Sequence, residues 1–123
     1  AFLAKYFELR QGGGNKGMQL LRDDRGMVLT LFKARPEDRA PAAAASREPL
    51  DDGEAQPRPG APDGVRYPSS FHIGFLQESQ ARVSEIHARL RQDGYPAPEP
   101  SEQHGAWGFY VIAPGGFMVE VTA

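Results

Sequence analysis

The chain has no cysteine among its 123 residues. That excludes a disulfide framework and any thiolate metal site, and it fits a reducing compartment, so a cytoplasmic location is expected. No apolar run reaches transmembrane length and no signal-peptide pattern is visible. Positive charge is not in excess either: 14 Lys and Arg stand against 16 Asp and Glu, a net charge of −2. A nucleic-acid footprint is therefore missing. The charges are dispersed rather than gathered on one helix face, which argues against membrane-surface binding. The length suits one domain with a modest core.

What is present divides into three stretches. Residues 1–34 open with AFLAKYFEL, where Phe2, Leu3, Tyr6, Phe7 and Leu9 make a helical stripe with no N-cap before it. Gly12, Gly13 and Gly14 follow; with no Gly-Lys-Ser/Thr after them and no buried strand before, they read as a flexible connection rather than a phosphate loop. MQLLR and MVLTLFK then flank Asp23-Asp24-Arg25-Gly26, which predicts a β-hairpin with Gly26 in a bulge. Residues 35–69 are different material, rich in Pro and Ala with few large apolar side chains, and they read as a mobile linker. Residues 70–123 regain the signal. A strand from Phe71 to Leu76 is followed by a helix from Gln80 to Asp93, with Ser79 as N-cap, Val83, Ile86 and Leu90 as its buried stripe, and Glu85 placed to pair with Arg89. Tyr95 to Gln103 has room for a short edge strand, and a second hairpin spans Ala106 to Thr122.

The two hairpins align without gaps: Leu20 to Leu31 lies over Tyr110 to Val121, Gly26 over Gly116 and Thr30 over Glu120. The chain thus reads as two β-α-β-β-β modules, the first lacking its opening strand. Register decides what each face carries. A type I turn started by Pro114, with Gly116 in the bulge, sets Tyr110 opposite Glu120. Trp107, Phe109, Val111, Phe117, Val119 and Val121 then share an apolar face for the helices. Gly108, Tyr110, Ile112, Met118, Glu120 and Thr122 share the other, predicted to line a cavity. By the same alternation Phe71, Ile73 and Phe75 face the helices and His72 faces the cavity with Gly74.

His72 and Glu120 are the candidate metal ligands, since an imidazole and a carboxylate suit Fe, Mn, Zn or Ni in the divalent state. The bland reading makes them a hydrogen-bonded strand histidine and a solvated carboxylate. Tyr110 is the candidate catalytic residue, an acid or ligand-facing group, or else a half-buried strand aromatic. His104, Thr30 and Met118 are candidate substrate contacts, with a surface histidine the plainer reading of His104. His87, mid-helix beside the core stripe, reads as structural.

FHIGFL, the helix ending in RLRQDGY, and HGAWGFYVIAPGGFMVEV together resemble the second βαβββ module of the vicinal oxygen chelate superfamily, which includes glyoxalase I, extradiol dioxygenases, fosfomycin-resistance transferases and bleomycin-resistance proteins. AKYFELR and MQLLRDDRGMVLTLFKA resemble the rest of the first module. The resemblance implies an α+β fold with a curved mixed sheet around a cavity and helices outside. It implies that His72 and Glu120 bind a divalent metal, that Thr30 stands where glyoxalase-type members carry another ligand, and that Tyr110 faces the bound molecule. A small-molecule ligand and a homodimer are the expected partners. The function so implied is chelation of a small oxygen-bearing substrate by lyase, dioxygenase or transferase chemistry. The alternative is a non-enzymatic protein that binds an antibiotic or other small ligand, as bleomycin-resistance relatives do; a scaffold without a ligand is a third reading.

Overall fold

The computed structural model describes residues 2–36, 67–68 and 71–123. Most of the predicted linker, 35–69, lies outside the described residues. The chain divides into two compact units, within Ala1–Arg39 and within Ala40–Ala123.

In the first unit, helix α1 (Phe2–Phe7) precedes three antiparallel strands, β1 (Arg10–Asn15), β2 (Met18–Arg22) and β3 (Val28–Phe32), in the order β1-β2-β3. The helix ends at Glu8, whose φ is +59°. Among the described residues of this unit, Leu3, Tyr6, Phe7, Leu9 and Leu21 are buried and apolar. The glycine triplet corrects the flexible-loop expectation, because it belongs to β1. The pairing shifts between Gln11 and Gly13, a bulge, and Gly13 has φ +130°. At Gly14 the approach of β2 is so close that a Cβ would sit 2.5 Å from the Met18 carbonyl oxygen. The glycines there serve strand contact, not looseness.

The second unit holds β4 (His72–Leu76), helix α2 (Gln80–Gln92), β5 (Ser101–Gln103), β6 (Ala106–Ile112) and β7 (Met118–Thr122). The sheet order is β4-β7-β6-β5, with β4 parallel to β7 and the other pairs antiparallel. Helix α2 starts where predicted: Ser79 accepts the Arg82 amide at 3.2 Å. It ends through a Schellman arrangement, with the Tyr95 amide on the Leu90 carbonyl and Gly94 at φ +89°. Glu85 pairs with Arg82 at 2.7 Å, three residues back, rather than with Arg89; both spacings bring side chains together on a helix.

The two units repeat one pattern. Leu20 pairs with Thr30 as Tyr110 pairs with Glu120, and Gly26 and Gly116 have φ of +92° and +86°. The second turn is closed by the Gly116 amide on the Ala113 carbonyl at 2.9 Å. Its third position, Gly115, has φ +102°, which makes it a type II turn where a type I was predicted. Only the turn type changes; Ala113 still meets Phe117 and the register stands. The chain thus has the expected α+β fold built on the βαβββ pattern. Beside β3, the place that β4 takes beside β7 is filled by no strand among the described residues.

Faces of the second sheet sort as the alternation predicts within its strands; Phe71, expected on the helix side, instead precedes β4 and is exposed, its ring stacked on Tyr67 at 5.3 Å. Phe75, Phe109, Val111, Val119 and Val121 are buried, and so are Val83, Ile86 and Leu90 of α2. The His87 ring meets Phe109 at 5.4 Å, which fixes α2 on the apolar face. The opposite face keeps His72, Gly74 and Leu76 exposed and Tyr110, Met118 and Glu120 half-buried.

Candidate functional site

Three strands bring the site together. β4 supplies His72 and Gly74, β7 supplies Met118 and Glu120, and β6 supplies Tyr110. Parallel pairing sets His72 beside Met118 and Gly74 beside Glu120, while antiparallel pairing sets Tyr110 beside Glu120. Side chains of directly paired residues share a face, so all five positions belong to the open side of the sheet.

The Tyr110 hydroxyl donates to Glu120 Oε1 at 2.6 Å. His72 Nε2 lies 3.6 Å from Glu120 Oε2. The His72 and Tyr110 rings meet edge to face, with centroids 5.7 Å apart and planes at 90°. Glu120 is thus touched through one oxygen by the phenol and faced through the other by the imidazole. With side chains 42% and 25% exposed, His72 and Glu120 remain within reach of a solute. The hydrogen bond to Glu120, then burial, then the carboxylate's charge push the Tyr110 phenol up to about 12. At neutral pH it therefore keeps its proton and acts as a hydrogen-bond donor.

An imidazole nitrogen and a carboxylate oxygen bound to one metal ion lie roughly 3.0–3.6 Å apart, given bonds of about 2.1 Å. The His72–Glu120 pair fits two positions of such an ion. Among the described residues no group of three or more His, Cys, Asp or Glu side chains is placed to hold one.

The other predicted residues fall differently. Met118 is on the face of the pair, the register partner of His72 on β4. His104 is in the β5–β6 turn, exposed, with φ +52°, followed by Gly105 at +82°. Two consecutive positive φ values are those of a two-residue hairpin turn. Ala106, where β6 leaves that turn, is about 13 Å of strand from Tyr110, so the fold does not bring His104 to the pair. Thr30 is exposed in β3 of the first unit, opposite Leu20. His87 is buried, with Nε2 3.3 Å from the Ala97 carbonyl oxygen, as a structural histidine should be. The sequence reading missed what Gly74 does at the site: a Cβ there would lie 3.2 Å from Glu120 Oε2. The His-x-Gly spacing in β4 was the available signal, since it puts a bare Cα on the face of the histidine.

No protein-family model matches the sequence, and no curated protein matches it. Among solved structures, the chain is 35% identical to a possible glyoxalase from Bacillus cereus, over 99% of this chain and 83% of that one, with a TM-score of 0.71. It is similar in fold to a lactoylglutathione lyase from Agrobacterium tumefaciens at 21% identity, covering 99% of this chain and 80% of that one, with a TM-score of 0.64. The fosfomycin resistance protein FosX from Mesorhizobium loti is similar at 11% identity, over 98% and 75% of the two chains, with a TM-score of 0.57. The last two likenesses concern the fold alone. The class is that of the paired βαβββ folds. With the first of these relatives above, the chain belongs to the vicinal oxygen chelate superfamily, that of the glyoxalases, fosfomycin-resistance proteins and dioxygenase-type domains. No helix among the described residues is long and apolar enough to cross a membrane.

Proposed function

We propose that the protein binds a small oxygen-bearing substrate at a divalent metal ion held in part by His72 and Glu120. The observation that carries this reading is the 3.6 Å approach of His72 Nε2 to Glu120 Oε2 on the open face of the second sheet. The metal, Fe, Mn, Zn or Ni, supplies Lewis acidity or oxygen activation when bound. The chain's own residues do the rest. His72 and Glu120 present an imidazole nitrogen and a carboxylate oxygen from neighbouring strands. Tyr110, protonated at neutral pH, offers a donor beside them, and Met118 and Ile112 give the same face an apolar side for the carbon part of a substrate. The metal-free protein should be loaded with each metal in turn and its bound metal measured. His72→Ala and Glu120→Ala should lose most of it; full metal retention by both variants would sink the reading.

A second reading rests on the half-buried apolar portion of the same face, Ile112, Tyr110 and Met118. It makes the protein a non-enzymatic binder of a flat small molecule. Saturable binding of bleomycin by the metal-free protein, unchanged in His72→Ala, would favour it. The exposed Val28 and Phe32 of β3 support the companion proposal of a homodimer, since an apolar strand with one edge unpaired among the described residues invites pairing; a monomeric mass in solution would count against it.

A further inference from the structure

A glutamate on a strand has three flexible torsions, and a half-exposed carboxylate ordinarily samples several rotamers. Here two unlike features confine it. On the β6 side the Tyr110 hydroxyl donates to Oε1 at 2.6 Å. On the β4 side its register partner is Gly74, and a Cβ at that position would come within 3.2 Å of Oε2, so the carboxylate would have to move by a few tenths of an ångström. The oxygen that passes over the bare Cα is the one 3.6 Å from His72 Nε2. Tyr110 also meets the His72 ring edge to face, so one phenol borders both members of the pair. The internal repeat gives an independent comparison. In the first unit the pair equivalent to Tyr110–Glu120 is Leu20–Thr30, where the carboxylate and the hydroxyl that would hold it are both replaced.

We propose that Tyr110 and Gly74 are positioning residues for Glu120: the phenol fixes Oε1, the missing side chain leaves room for Oε2, and together they aim Oε2 at the atom His72 also faces. The inference rests on the reading of His72 and Glu120 as ligands, and it assigns neither Tyr110 nor Gly74 a bond to the metal. Partners that orient a ligand typically change metal affinity by about 10- to 100-fold when removed.

Two measurements test it on the full chain. In the metal-free protein, side-chain scalar couplings of Glu120 read its rotamer by NMR. Wild type should show one rotamer, and Tyr110→Phe should show averaging, while Gly74→Ala should shift or average it. Calorimetric titration with Zn²⁺ should then give affinities about tenfold weaker for each variant. A purely structural role predicts otherwise for Gly74→Ala, because alanine in a strand stabilises relative to glycine; its melting temperature should hold or rise while affinity falls. A single unchanged Glu120 rotamer in both variants, or wild-type Zn²⁺ affinity in both, overturns the proposal. Wild type that binds no Zn²⁺, or His72→Ala that binds it equally well, defeats the ligand reading instead, and the metal-free rotamer measurement still decides the positioning.

Discussion

Replacing Tyr110 with phenylalanine removes one hydroxyl and almost no volume, so its consequence can be worked from the geometry. The lost bond runs from a phenol to a carboxylate at 2.6 Å. Hydrogen bonds to charged groups contribute about 1.5–3 kcal/mol. Both side chains here are half-buried, and water can reach the freed carboxylate, which puts the cost at the low end, about 1–1.5 kcal/mol. For a chain of this size that is a fall of roughly 3–6 °C in Tm. The pH dependence has a definite sign. The folded state pushes the phenol from its ordinary 10.0 up to about 12, so it holds that proton more tightly than the unfolded chain does. The stabilisation is complete below pH 10 and is lost as pH rises through about 12. Urea unfolding of wild type and Tyr110→Phe at about pH 7, 9 and 11 should give a constant gap at the first two and a smaller one at the third. The difference in phenolate absorbance between the two proteins should rise near pH 12. No gap at neutral pH, or a phenol that titrates near its ordinary value, would mean that the Tyr110–Glu120 bond does not form in solution.

Two further outcomes bear on the scaffold that carries the site. Phe109, fully buried and against the His87 ring, should cost roughly 3–5 kcal/mol as Phe109→Ala, read as a lower urea midpoint; a cost under about 1 kcal/mol would contradict the packing of α2 on that face. Gly115→Ala would only touch the Phe117 ring, at 3.8 Å, but must adopt φ +102°, so it should destabilise by about 1 kcal/mol or more, and a neutral result would mean the turn is not type II.

The faces of the second sheet were legible because three signals coincide there: alternation in HIGF, a Pro-Gly-Gly turn that fixes pairing, and an uninterrupted apolar parity opposite a mixed one. Either turn type gives Tyr110 the same partner, which is why a wrong turn type left the register intact. β1 was not legible. All six of its residues are exposed and three are glycine, so neither alternation nor propensity marks it, and its existence depends on pairing with β2. The pairing of Glu85 was ambiguous because Arg82 and Arg89 both lie one helical turn away. Gly74 was visible as a residue on the His72 face, but its meaning needed the register of β4 against β7, a parallel contact between segments more than forty positions apart in the sequence. For the same reason His104 looked close to the site on paper: proximity to β6 in sequence says nothing about which end of the strand the site occupies.

If His72 and Glu120 act together on one metal ion, titrating the metal-free protein with Zn²⁺ while following the imidazole resonances of its three histidines will show it. Saturable binding should shift the His72 ring, leave His87 and His104 unmoved, and lose the His72 response in Glu120→Ala. Saturable binding that leaves His72 unmoved, or a His72 response that survives intact in Glu120→Ala, would mean that the two do not share an ion.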